Sequence, residues 1–295
     1  MTETQTSPKK VRGRSQASIR LIQAARDFLR EAHPTTVRGV CYHLFVVGVI
    51  PSMAKAQTGR VSRLLTAARE DGTIPWRWIV DETRDLERPA QWNDPEAFIE
   101  TVRRAYRRDS WSQQTNQVEV WSEKGTVRGV LASVLDDYGV GFRVLHGFSS
   151  ATLINDVAKT DGVPIVALYV GDWDPSGLYM SEVDLPTRLS RYGAAHVTVI
   201  RVALMREDLE GLPSFPVADK IRDPRYRWFV EHYGGQCWEV DAMHPDALRE
   251  RVEMTIGKFI EWEAWERCCA AQQAEQDSLQ SVLDTWMAIT SQRTD

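Results

Sequence analysis

The stretch PIVALYVGDWDPSG, residues 164–177, sets the fold of the chain. Its first half is an apolar run of strand length, rich in β-branched and aromatic side chains, which predicts a buried strand. Its second half places Asp172 and Asp174 two residues apart where the strand ends, ahead of Pro175 and Gly177. In extended backbone residues two apart point the same way, so the two carboxylates face one side and Trp173 the other. Two readings are open. The aspartates can be hard oxygen ligands for magnesium, which is held by a few carboxylates plus water and phosphate oxygens, or they can cap the helix that follows.

Outward from this stretch, strands and helices alternate. VEVWSE (118–123), FRVLHG (142–147) and AHVTVIRVAL (195–204) have strand patterns; helices are expected over 126–138, 150–159 and 178–192. CWEVDA (237–242) suggests a further strand, and 245–287 one or two long helices. Such alternation implies a mostly parallel sheet with helices on both faces. Functional groups of such sheets gather at the carboxyl ends of strands. The first strand ends in Glu123-Lys124-Gly125, so Glu123 is expected to face Asp172 and Asp174. A phosphodiester bound among these acids and a metal would have its charge neutralised during strand cleavage. The glycine after each acidic motif would allow close backbone approach.

The first third has another pattern. Residues 1–16 are expected to be a disordered basic arm. Over 17–32 the apolar positions Ile19, Ile22, Ala25 and Leu29 have helical spacing, and His33-Pro34 ends that helix. Thr35 and Thr36 can cap a second helix through VRGVCYHLFVVG, closed by Gly48 and Pro51. A third helix over 54–70 buries Val61, Leu64, Leu65 and Ala68 and carries Lys55, Arg60, Arg63 and Arg69 on its other face. IPWRWIV (74–80) is expected to be extended. Three short helices, the last basic, and then a wing is the order of a winged helix-turn-helix, whose third helix enters the DNA major groove. The expected division is a winged-helix domain over 17–90, a connector with one helix (95–108) over 91–116, and an α/β domain with a helical extension over 117–295.

SEKG (122–125) and GDWDPSG (171–177) resemble the Toprim domain, most closely that of the topoisomerase VI A subunit and the related meiotic double-strand-break proteins. In that family a Glu-Lys follows the first Toprim strand and Asp-x-Asp-Pro-x-Gly marks the metal-binding strand end. Arg38-Gly39-Val40-Cys41-Tyr42 is similar to the family's Arg-x-x-aromatic-Tyr motif, with Cys41 where an aromatic is preferred and Gly39 where an acid is common. The resemblance runs loosely over 17–260, and GRVSRLLTAAREDGTIPWRWIVDETR (59–84) looks like compact stand-alone relatives carried by mobile elements and phages. The chain is shorter than a typical A subunit.

The resemblance implies DNA strand cleavage by Tyr42, which would form a 5′-phosphotyrosyl link, with Arg38 as a phosphate clamp. It also implies magnesium, or manganese in its place, on Glu123, Asp172 and Asp174, with Glu123 as an alternative general acid/base. Lys124 joins Arg38, Lys55, Arg60, Arg63 and Arg69 as an expected contact to double-stranded DNA. A homodimer is implied, because in such families tyrosine and metal come from different protomers. A phenol, with a pKa of about 10, needs nearby positive charge and a polarised phosphate to attack. Two rivals stay open: a Toprim nuclease using water, with Tyr42 structural, and a non-catalytic DNA-binding regulator.

Composition narrows the class. The 295 residues are 43% hydrophobic with net charge −5. Residues 1–117 hold 19 Lys and Arg against 13 Asp and Glu, and the rest holds 17 against 28. That asymmetry suits a DNA-docking part followed by a metal-binding part. No apolar run approaches the roughly 18 residues of a membrane span, and the polar N-terminus does not resemble a secretory signal. A cytoplasmic, nucleoid-associated protein without a membrane partner is expected. Four cysteines without a CxxC pair and six histidines without HxxxH spacing suggest neither zinc nor a disulfide framework. No GxxxxGK[ST] loop is present, so any ATPase would be a separate subunit.

Overall fold

A computed structural model describes residues 15–80, 90–145, 151–160 and 163–291. It is mixed α/β, 59% helical, with a mostly parallel sheet. The chain divides into two compact units, 1–81 and 82–295.

In the first unit α1 (Gln16–Ala32) starts at Ser15, whose hydroxyl accepts from the Ser18 amide. Most of the expected arm, residues 1–14, lies outside the described residues. The buried stripe of α1 is Leu21, Ile22, Ala25, Phe28, Leu29 and Ala32. Ile19, expected inside, is 46% exposed; Leu21 and Phe28 occupy the inner face instead. After β1 (Thr35–Thr36), α2 (Val37–Val46) is capped by Thr36, whose hydroxyl accepts from the Gly39 amide at 2.8 Å. α3 (Lys55–Glu70) contributes Val61, Leu65 and Ala68 to a core shared with Leu29, Val40, Leu44 and Ile74. Each large apolar side chain buried there contributes about 1.5–3 kcal/mol. The expected extended run 74–80 is mostly not a strand. Trp76–Trp78 form a 3₁₀ turn, and only β2 (Ile79–Val80) is extended, pairing in parallel with β1. Residues 81–89, where a wing would continue, lie outside the described residues.

In the second unit α4 (Pro95–Ala105) is capped by Asp94. It packs on the last helix, α12 (Trp262–Ser291). The Arg108 amide donates to Gln272 Oε1 at 2.8 Å. The stretch expected to be a connector is thus part of this unit, and α4 stops three residues short of the expected helix end.

The sheet consists of β3 (Gln117–Ser122), β4 (Gly141–Val144), β5 (Ile165–Val170) and β6 (Val197–Ala203), all parallel, in the order β4-β3-β5-β6. Alternate residues face opposite sides. Val118, Val120, Val166, Leu168 and Val170 join a core with α5 (Thr126–Val130), α6 (Ala132–Asp137) and α11 (Pro245–Gly257). Trp121, Ala167 and Tyr169 join a second core with α7 (Ala151–Ala158) and α9 (Leu185–Arg191).

Several elements are shorter than their patterns suggest. The expected helix 126–138 is two, broken at Leu131. The expected helix 178–192 starts earlier, as α8 (Pro175–Tyr179), and passes through a π turn at Met180–Asp184 before α9. Pro186 accounts for the turn: it has no N–H for the Glu182 carbonyl, and Leu185 N donates to Met180 O instead. CWEVDA is extended only at its start. After β7 (Phe215–Pro216) and α10 (Tyr226–Tyr233), β8 (Gln236–Cys237) pairs antiparallel with β7, and Val240–Ala242 form a 3₁₀ turn. The expected 245–287 helices are α11 and α12.

Candidate metal centre at the strand ends

From β3 the chain crosses to β4 on one side, while β5 and β6 continue on the other. The strand order therefore reverses between β3 and β5, where open α/β sheets have their ligand crevice, beyond the carboxyl ends. Glu123 follows β3, and Asp172 and Asp174 follow β5.

The two aspartates do not share a role. Asp174 caps α8, its Oδ1 accepting from the Gly177 amide at 2.7 Å. Its Oδ2 takes the ammonium of Lys220. Asp172 Oδ1 accepts from the Val240 amide at 2.8 Å and from Lys124 Nζ at 2.9 Å. Lys124 also reaches Asp241 at 2.8 Å and Glu239 at 3.9 Å. Trp173 turns away from the acids into the core, as alternation predicts. Its backbone exchanges two hydrogen bonds with Trp238, at 2.9 and 3.0 Å, which bring Glu239 and Asp241 to the site.

Two glycines are needed for close approach. A Cβ on Gly177 would lie 2.4 Å from the Asp172 carbonyl oxygen, and one on Gly171 2.7 Å from the Tyr169 ring. Gly125 is different from the expectation: its nearest neighbour would be an ordinary 4.0 Å away. Arg201 on β6 fixes the loop. Its guanidinium donates to the carbonyls of Leu204 (2.8 Å), Gly177 (3.0 Å), Gly171 (3.0 Å) and Asp172 (2.5 Å), and to the Ser181 hydroxyl (2.8 Å).

The field of the cluster is visible in its acids. Burial, and then the negative charges of Asp174 and Asp172, hold the Glu123 carboxyl above the ordinary range. Burial also raises Asp172, against the pull of Lys124. For Lys124 burial disfavours the charge, but Asp172, Asp241 and Glu239 outweigh it and hold the ammonium well above its ordinary value. Lys220 is raised in the same way, Asp174 overcoming burial. Five carboxylates thus meet two ammonium groups. Beside them the Tyr169 hydroxyl, 0% exposed, has no hydrogen-bond partner among the described residues.

These oxygens are of the type magnesium takes. Among the described residues no three acids already form a cage for an ion. Among the described residues Glu123 makes no hydrogen bond or ion pair and the side-chain contacts of Asp172 fall on Oδ1, whereas a cation on Asp174 Oδ2 would have to replace Lys220. The donor set fits a hard divalent ion on those terms.

Sequence reasoning missed Lys220, Glu239, Asp241, Arg201 and Tyr169. Glu-x-Asp at 239–241 repeats the spacing of Asp172 and Asp174, and Arg201 is a lone charge inside an apolar strand; both were usable signals. Lys220 carries none.

In the first unit Arg38 and Lys55 are exposed and line one cavity of about 280 Å³ with Cys41, Thr58 and Ser62. Arg63 is exposed and Arg60 half-buried. Arg69 is not on the open face: it is 7% exposed and stacks on Trp76 at 4.8 Å. Tyr42 is 4% exposed, with the Arg38 guanidinium 5.7 Å from its ring centroid. No helix among the described residues is long and apolar enough to cross a membrane. Compared with known proteins, the chain matches no family model, no curated protein and no solved structure.

Proposed function

We propose that this protein binds double-stranded DNA and cleaves its backbone at a magnesium site on Glu123, Asp172 and Asp174. One observation carries the reading: three acids from two adjacent parallel strands meet at the reversal of strand order, with mutual repulsion that a divalent cation would relieve. When bound, the ion would neutralise phosphate charge and stabilise the leaving oxygen. The protein's own part is positioning. Arg201 holds the loop, Gly171 and Gly177 let it fold tightly, and Lys124 orients Asp172. The basic residues of the first unit, nine Lys and Arg against four Asp and Glu over 15–80, supply DNA affinity. The fold proposed for that unit is a winged helix, for the second a Toprim domain, and the working form a homodimer.

Tyr42 is the proposed nucleophile, on the strength of the Arg38–Tyr42 motif. Its burial favours a second reading, in which water attacks and Tyr42 is structural.

The test is plasmid cleavage by the purified protein with magnesium, stopped with detergent, with and without protease. Protein attached to 5′ ends, with Tyr42→Phe and Glu123→Gln each reduced by at least about a hundredfold, supports the tyrosine mechanism. Free ends from Tyr42→Phe, with Glu123→Gln inactive, support the nuclease. DNA binding without cleavage under any metal would reject catalysis and leave a regulator.

A further inference from the structure

We propose that Lys220 is the resident counter-ion of Asp174, displaced by the divalent cation and thereby turned toward the bound phosphate. The proposal rests on the reading above, since it concerns how the same site takes its ion.

The argument starts from unequal ties. Lys124 is held by three carboxylates, Asp172, Asp241 and Glu239. Lys220 is held by one, Asp174. The Asp174 side chain is 4% exposed, and removing one partner of a buried ion pair is costly, so its oxygen calls for a cation in place of Lys220. The ammonium of Lys220 stands where a divalent ion would sit on the same oxygen.

Geometry gives Lys220 somewhere to go. It ends the 3₁₀ turn Val217–Lys220, directly after β7, and that strand is pinned to β8. The next residues after β8 are tied to the Asp172–Asp174 loop through Trp238 and Trp173. The backbone under Lys220 is therefore fixed, and only its side chain needs to swing. One alternative support is already close: the Phe215 ring centroid is 5.5 Å from Nζ. A third of the side chain is open to solvent. Once off Asp174, the ammonium is no longer matched by that carboxylate and is free to pair with a phosphate group bound at the metal.

A second feature marks the crevice as a binding site and not merely a set of internal ion pairs. The fully buried Tyr169 hydroxyl, without a partner among the described residues, lies beside Gly171 and within electrostatic reach of Glu123, Asp172 and Asp174. Buried hydroxyls are almost always satisfied, so this donor is one that a ligand or its water would use.

The experiment compares the full chain and Lys220→Met by calorimetric titration with magnesium chloride and by thermal melting with and without the metal. Lys220→Met should melt lower than wild type without metal, bind magnesium about tenfold more tightly, and gain more in melting temperature when metal is added. Lys220→Arg, which keeps the charge, should bind as wild type does. If both proteins bind magnesium with the same affinity, the exchange is wrong and the metal reading survives. If neither binds, both fall. Should Lys220→Met not fold, reductively ¹³C-methylated wild-type protein serves instead. The dimethyl-Lys220 resonance, identified by its absence from Lys220→Arg, should move on adding magnesium; a resonance unmoved at saturation overturns the exchange.

Discussion

Asp174 is both a helix cap and a candidate ligand, and substitution can separate the roles. Asp174→Asn keeps an oxygen for the Gly177 amide but loses the charge that holds Lys220. Asp174→Ala loses both, including a cap of about 1 kcal/mol. The alanine variant should melt lower than the asparagine variant, while both lose magnesium binding; equal binding by Asp174→Asn and wild type would remove Asp174 from the ligand set. Gly177→Ala should cost about 1–3 kcal/mol, because its Cβ meets backbone that cannot yield; an unchanged melting temperature would mean that the loop relaxes. Glu123 titrates with a definite sign. Its folded carboxyl is raised, so its contribution to stability is full below the ordinary value of about 4.3 and is lost as pH rises through the folded value. Above that window, metal-free Glu123→Gln should be more stable than wild type, and below it the two should converge. Thiols offer a simple check of burial. Burial pushes Cys41 up to about 11 and Cys237 to about 12, and Cys268 is buried too. Only Cys269 is exposed, so the native protein should show one fast thiol toward Ellman's reagent.

At the scale of elements, Arg201 joins β6 to the loop after β5 and to the start of α8. Its five hydrogen bonds, at about 0.5–1.5 kcal/mol each, predict that Arg201→Ala loses roughly 2.5–7.5 kcal/mol. Arg201→Lys should recover little, since an ammonium cannot reproduce the planar fork. A melting temperature near wild type for either variant would show the loop to be held by its glycines and cap alone. The same elements show how far local pattern reaches. The α1 stripe keeps Ile22, Ala25 and Leu29 but takes in Leu21 and Phe28 in place of Ile19, which is exposed. The helix after Asp174 begins at Pro175, three residues before its expected start, because proline is well suited to the first helical turn. CWEVDA has alternating apolar residues but becomes a turn, because Val240 is drawn in to bond Asp172.

At the scale of the whole molecule, positive charge concentrates in the first unit and acids in the second. If that unit supplies DNA affinity, Lys55→Ala and Arg63→Ala should each weaken binding similarly on all sequences. Each should also lower the slope of log K against log salt by about 1. Arg69→Ala should instead lower stability, through its lost packing on Trp76. Salt slopes unchanged by Lys55→Ala and Arg63→Ala would place the DNA surface elsewhere.

The alternation of strands and helices, the end of β5 and the presence of acids on two strand ends were determined by the sequence alone. Apolar periodicity and the breaking power of proline and glycine act over a few residues, so these features need no distant partner. Tertiary structure decided which charges meet. Lys220 and Asp174 are 46 residues apart, and Val240 and Asp172 are 68 apart. They come together only because the strand order places β5 between β3 and β6 and because Trp238 pairs with Trp173. Strand order and backbone pairing depend on the packing of both cores at once, and no local run of residues encodes them.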